Sequence, residues 1–197
     1  DEGAQRAAGY LDVHDGMRVL DACAAPGGKA AQILEQAAVS LIALDVDSDR
    51  LGKVRENLKR LQLDAHLLCA DSRDLGAWWD GVSFDRILLD VPCSASGVAR
   101  RHPDVKWLRR ETDFAQFAEL QQQLLDAVWQ TLNRDGKLLY VTCSVFQEEN
   151  QDQADAFMKR HRDARYLPID DREAFDGQLL PCYQHDGFYH ALFQKCC

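Results

Sequence analysis

Five short runs rich in Val, Ile, Leu or Tyr recur along the chain, at residues 18–23, 41–45, 66–69, 84–90 and 137–142, with segments of helical period between them. Uninterrupted apolar runs of this length suit strands covered on both faces. Between them, Leu51, Val54, Leu58 and Leu61 recur at steps of three and four, which puts them on one face of a helix begun near Ser48. Phe117, Leu120, Leu124, Val128 and Leu132 do the same for a longer helix that stops before Asp135-Gly136. The βαβαβ order predicts an α/β fold, a doubly wound, mostly parallel sheet with helices on both faces. Right-handed crossovers then place ligands at the carboxyl ends of the strands. Asp186-Gly187 predicts a turn into a late strand over 188–194, paired antiparallel at the end of the sheet. Residues 1–16 read as a leading segment and 17–197 as one domain, since no repeat or long linker interrupts them.

Composition narrows the function classes. The net charge of −9 on 197 residues opposes strong sequence-independent attraction to phosphates, so any nucleic-acid surface must be local. No apolar run approaches the roughly 20 residues of a membrane span. No basic and apolar leader opens the chain, and Asp1 stands where an initiator Met would, so neither a signal peptide nor full length is expected. Seven cysteines form an odd set without a C-x-x-C pair, which predicts a reduced, cytoplasmic protein with neither a disulfide framework nor a metal site.

The chemistry gathers at predicted strand ends. The first run leads into Cys23-Ala24-Ala25-Pro26-Gly27-Gly28-Lys29, small residues where backbone must turn and approach a ligand. It is neither G-x-G-x-x-G nor a Walker A sequence. A purely structural turn is the alternative. Asp45 closes the second run at about the offset at which a carboxylate takes ribose hydroxyls, Asp71 follows the third run, and Asp90 ends the fourth. Each could be a mere turn former; a shared edge with the glycine loop favours a nucleoside-bearing cofactor.

Cys93 in Asp90-Val91-Pro92-Cys93-Ser94 and Cys143 in Thr142-Cys143-Ser144 follow the fourth and fifth runs, where strand ends converge. Cys69 and Cys182 read as small buried hydrophobes, the commonest fate of a free cysteine. Ser144 and Gln147 have the spacing of a capping box, which would set Cys143 beside a helix amino end that favours thiolate, against Glu148 and Glu149. One concentrated cationic stretch, with Arg100, Arg101, Lys106, Arg109 and Arg110 around Trp107, follows the Cys93 loop and offers phosphate contact and stacking, unless it is only a solvated face.

Taken in order, the loop from Cys23 to Lys29, Asp45, the Asp90 to Gly97 segment, the Arg100 to Arg110 stretch and Thr142-Cys143-Ser144-Val145 resemble the RNA 5-methylcytosine methyltransferases of the RsmB/NOP/Sun (Fmu) family. The resemblance implies a class I, Rossmann-like fold with a seven-stranded sheet and S-adenosylmethionine as methyl donor. It implies that residues 23–29 form the cofactor loop, that Asp45 holds the ribose with Arg50 nearby, and that Asp71 lies beside the adenine. Asp90 and Lys29 would serve both cofactor and chemistry. It further implies Cys143 as nucleophile, Cys93 in product release, small-subunit (16S) ribosomal RNA as partner, and a preceding RNA-binding domain like that of the antitermination factor NusB. A monomer is expected. Ala30 and Val91 replace the family's usual Thr and Ala without removing a reacting group. Another RNA such as tRNA, a non-RNA substrate, or an RNA-binding scaffold without turnover are the rival readings.

The implied chemistry has a physical logic. Carbon 5 of cytosine is too weak a nucleophile to take a methyl group until a thiolate adds at carbon 6, and a cysteine of ordinary pKa, about 8.5, is mostly protonated at neutral pH. A carboxylate facing ring nitrogen 3 would stabilise the adduct, and a base must then remove the carbon 5 proton. The target base must leave its stack, at a cost of a few kcal/mol.

Overall fold

The computed structural model describes residues 1–196; Cys197, part of the expected 17–197 domain, lies outside the described residues. In chain order the elements are α1 (Glu2–Leu11), β1 (Arg18–Asp21), α2 (Gly28–Gln36), β2 (Ser40–Asp45), α3 (Ser48–Leu61), β3 (His66–Cys69), α4 (Leu75–Trp78), β4 (Phe84–Asp90), α5 (Val105–Leu108), α6 (Glu111–Trp129), β5 (Leu132–Thr142), α7 (Gln151–Arg160), β6 (Ala164–Leu167), β7 (Gln178–Leu179) and β8 (Phe188–Lys195). The sheet order is β3-β2-β1-β4-β5-β8-β6, with the two-residue β7 paired to β8 off this path. Strands β1 to β5 are parallel, whereas β8 runs antiparallel to β5 and β6. The expected α/β, Rossmann-like fold is the one formed; the expected seven strands make up the main path, and the short β7 adds an eighth.

The continuous apolar runs are explained by burial on both faces. In β4, Ile87 and Leu89 join one core with Leu20, Tyr140, Trp129 and Phe157, while Leu88 joins the other with Val19, Leu139, Ile33 and Leu11. Helix α3 begins at Ser48 because the Asp47 carboxylate accepts the Asp49 and Arg50 amides, and it ends where Gln62 turns left-handed.

Three boundaries differ from the sequence expectation. The leading segment is largely helix α1, whose Ala7, Ala8 and Leu11 are fully buried in the second core. Leu132, in phase with the α6 stripe, opens β5 opposite Phe84, because Thr131 donates back to the Val128 carbonyl and ends the turn. The late strand does not close the sheet. It lies between β5 and β6, and its first six residues, Phe188 to Phe193, are all at least nine-tenths buried, as an internal strand requires.

Chain order runs from β1 outward to β3, then returns to the other side of β1 for β4. A crevice opens where the direction reverses, outside the carboxyl ends of β1 and β4.

Candidate active site

Backbone geometry builds the loop after β1. Ala22 donates to the Leu88 carbonyl and Ala24 to that of Leu44, so the loop is pinned to both neighbouring strands. Gly27 has φ +99°, and a Cβ there would lie 3.0 Å from the Val54 backbone, so only glycine fits. At Gly28, which opens α2, a Cβ would meet nothing within 4 Å, leaving the face open to a ligand. Asp45, 3% exposed, accepts the amides of Ala25 at 3.1 Å and Asp47 at 3.0 Å. Arg50 donates to the Ala25 carbonyl at 3.2 Å. The acid predicted to meet a ribose is thus also the strut that shapes the loop.

A cavity of about 340 Å³ is walled by Asp45, Arg50, Asp71, Asp90, Cys93 and Cys143, so residues predicted separately meet in one hollow. Asp71 is held there in a fork by Arg73, whose guanidinium keeps the carboxyl below its ordinary pKa. A second cavity of about 480 Å³ lies along the other flank of the loop, with Asp21, Lys29, Asn57 and Arg60 among its walls and Asp90 common to both. Burial opposes the charge on Lys29, but Asp90, 2.7 Å away, outweighs it and holds the ammonium above its ordinary pKa.

Strand register brings the two thiols together. Asp90 of β4 pairs with Val141 of β5, so Cys93 and Cys143 leave the sheet at nearly the same height, and their sulfurs stand 3.4 Å apart. A hydrogen bond given by Cys93 favours ionised Cys143 and lowers its pKa, aided by Lys29 and opposed by burial and Asp90. The same bond, with burial, pushes Cys93 well above the ordinary thiol value. Thiolate character therefore collects on Cys143.

The source of that bias differs from the sequence expectation. Ser144 and Gln147 form no capping box: the Ser144 hydroxyl accepts the Phe146 amide and donates to Glu149, and helix α7 starts only at Gln151. Cys93 and Lys29, rather than a helix dipole, act on Cys143. Cys69 and Cys182 are exposed rather than buried, Cys69 on the edge strand β3 and Cys182 in the loop before β8.

The cationic stretch is divided. Arg100 and Arg101 both pair with Asp186, a fully buried carboxylate that needs cationic partners. Arg109 donates to the Ser94 carbonyl at 2.8 Å and stacks over Phe117. These three brace the fold around the Cys93 loop, Arg100 and Arg101 with about half of each side chain still exposed, while Lys106, Trp107 and Arg110 are also exposed, Trp107 at 88%.

Asp21 was missed by sequence reasoning. It ends β1, is 1% exposed, and has no side-chain partner among the described residues for either carboxylate oxygen. Burial, then the charge of Asp90, raises its pKa from 3.8 to about 7. Its sequence signal was a lone acid inside the first apolar run, residues 18–23. Because the folded pKa lies above the unfolded one, the native state keeps the proton longer and stability falls as pH rises from about 4 to about 7. Asp21→Asn should remove this loss: the variant's advantage in unfolding free energy should grow by roughly 2–3 kcal/mol between pH 5 and pH 8. Urea titrations of both proteins at the two pH values measure it, and a constant difference would refute the assignment.

The model of the family described as 16S rRNA methyltransferase RsmB/F matches residues 8–194. The chain is 51% identical over 197 residues to ribosomal RNA small subunit methyltransferase B of Vibrio cholerae serotype O1, an alignment covering 99% of the chain and 45% of that protein. It is 50% identical over 202 residues to the protein of the same name from Pseudomonas putida, covering 99% and 46%. The chain thus spans about half the length of the curated relatives it matches. Among solved structures, NSun6 from Pyrococcus horikoshii with SFG superposes with a TM-score of 0.88 at 29% identity, over 99% of this chain and 52% of that one. A methyltransferase homolog protein from the same organism gives 0.82 at 31% identity, over 98% and 66%. With 187 consecutive residues matched by one family model, the chain belongs to the 16S rRNA methyltransferase RsmB/F family.

Proposed function

We propose that this chain is the catalytic unit of an S-adenosylmethionine-dependent RNA (cytosine-5-)-methyltransferase acting on small-subunit ribosomal RNA, cytoplasmic and monomeric. No helix among the described residues is long and apolar enough to cross a membrane. The observation that carries the reading is the 3.4 Å approach of Cys93 and Cys143 in a cavity that also holds Asp45, Asp71 and Asp90.

The residues present fit the cofactor. A glycine turn open to ligand, two carboxylates at strand ends and an adjoining guanidinium suit an adenosine with a charged tail. Residues 23–29 would cradle it, Asp45 and Arg50 would face the ribose, and Asp71 the adenine. S-adenosylmethionine, when bound, supplies a methyl group made electrophilic by its sulfonium.

The chain's own residues then divide the work. Cys143 adds its sulfur electron pair to carbon 6 of cytosine, while Asp90, bridged to Lys29, faces ring nitrogen 3 and favours its protonation. Carbon 5 thereby gains the electron pair that methylation requires. Afterwards a water oriented by the Cys93 thiol takes the carbon 5 proton, and as the C5–C6 double bond re-forms, ring nitrogen 3 gives back its proton and Cys143 leaves with its electron pair. Lys106, Trp107 and Arg110, with the half-exposed Arg100 and Arg101, are available to meet RNA.

Incubation with S-adenosylmethionine and small-subunit RNA containing 5-fluorocytosine tests the reading, because fluorine at carbon 5 blocks the final elimination. A stable protein–RNA adduct joined through Cys143 is expected. Binding of both ligands without an adduct would overturn it.

A further inference from the structure

We propose that Glu149 is a positioning residue that holds the two cysteine loops at thiol–thiol hydrogen-bonding distance. The inference rests on the reading of Cys93 and Cys143 as a reacting pair, and adds what fixes their spacing. Glu149 ends a short helical turn (Gln147–Glu149) and is fully buried. Its oxygens take four hydrogen bonds: Oε1 from the Ser94 amide at 2.8 Å and the Gln121 side chain at 3.2 Å, Oε2 from the hydroxyls of Ser94 at 2.6 Å and Ser144 at 2.5 Å.

Ser94 directly follows Cys93, and Ser144 directly follows Cys143. A single carboxylate thus ties together the residues next to each sulfur, which arrive from different strands. Gln121 adds a third strut, since its amide also donates to the Pro92 carbonyl at 3.0 Å, just before Cys93. All four donors are neutral, so the carboxylate gains charge-assisted bonds without bringing a cation to the thiols. Its own charge further disfavours ionisation of Cys93, the sulfur that must keep its proton to donate to Cys143.

Three variants separate this role from ordinary burial. Glu149→Ala removes all four acceptors, and Ser144→Ala releases only the Cys143 side. Glu149→Gln keeps the frame, because the Ser94 and Ser144 hydroxyls can rotate to accept from the amide while its oxygen still accepts from Ser94 and Gln121. In glutathione redox buffers, each protein is titrated for the Cys93–Cys143 disulfide, quantified by peptide mass. Two thiols are oxidised as one glutathione disulfide is reduced to two glutathiones, and the midpoint gives the effective concentration of one sulfur at the other. Folding is checked by thermal melting.

Glu149→Ala and Ser144→Ala should lower that effective concentration at least tenfold, and Glu149→Gln should stay within threefold of the unaltered chain. Glu149→Gln should also raise the alkylation rate of Cys93 at neutral pH at least threefold. If Glu149→Ala does not fold, the other two variants carry the test. Wild-type effective concentration in folded Glu149→Ala or in Ser144→Ala, or a Glu149→Gln value as low as that expected for alanine, would overturn the proposal. The titration uses no RNA, so absence of the 5-fluorocytosine adduct would overturn the proposed reaction and leave the positioning role standing.

Discussion

Cys143→Ala is expected to abolish covalent capture of RNA and to lower methyl transfer by at least about 10⁴-fold, the scale on which loss of a nucleophile acts. Cys93→Ala should do the opposite to the adduct: attack still occurs, but proton removal slows on the order of 10²–10⁴-fold, and covalent complex accumulates on ordinary RNA. The difference follows from the pair's asymmetry. Cys143 accepts the hydrogen bond and carries thiolate character, while Cys93 donates, is 8% exposed, and is held protonated. Denaturing electrophoresis after incubation with RNA and S-adenosylmethionine distinguishes them, since only the Cys93 variant should show a retarded band. A retarded band from Cys143→Ala instead would exchange the two assignments.

The second large effect concerns a glycine outside the cofactor loop. A Cβ at Gly97 would lie 2.4 Å from the Gly187 carbonyl oxygen and 2.8 Å from its carbon, both backbone atoms with no rotamer to yield. The two segments are also bonded, Gly187 N–H to the Gly97 carbonyl at 2.9 Å, and Gly97 N–H in turn holds the Cys143 carbonyl at 2.9 Å. Gly97→Ala must therefore part the loop after Cys93 from the segment entering β8 and disturb the bond to Cys143. Overpacking of this kind costs about 2–3 kcal/mol, which for a chain of this size lowers the melting temperature by roughly 5–10 °C. Gly28→Ala is the matched control, because its Cβ would meet nothing within 4 Å at the first turn of α2. Its melting temperature should hold or rise slightly, as alanine favours a helix over glycine. Equal losses in the two variants would show that close approach at Gly97 is not what matters.

The cationic stretch shows where local reading reached its limit. Five basic residues around Trp107 form one cluster on paper. Asp186 lies far along the chain from Arg100 and Arg101, yet it is buried against them, and a buried carboxylate without a cation would be costly. Arg109 was likewise claimed by the Ser94 carbonyl. Only long-range packing could show which of these arginines also brace the fold. Ser144 and Gln147 show the same limit at short range: the spacing matched a cap, but the buried Glu149 drew the Ser144 hydroxyl.

What the amino-acid order determined alone was the periodic part: strands as apolar runs, helices as three-and-four repeats, and small residues where β1 must turn toward α2. These depend on neighbours within a few positions, and in β1 to β4 and α3 the fold kept them nearly unchanged. Tertiary structure alone decided three things: that β8 is internal, that Asp21 is a buried acid with no side-chain partner among the described residues, and that two sulfurs fifty residues apart face each other at 3.4 Å. Each depends on sheet order, strand register or burial, which arise when distant segments pack and leave no periodic trace in the chain.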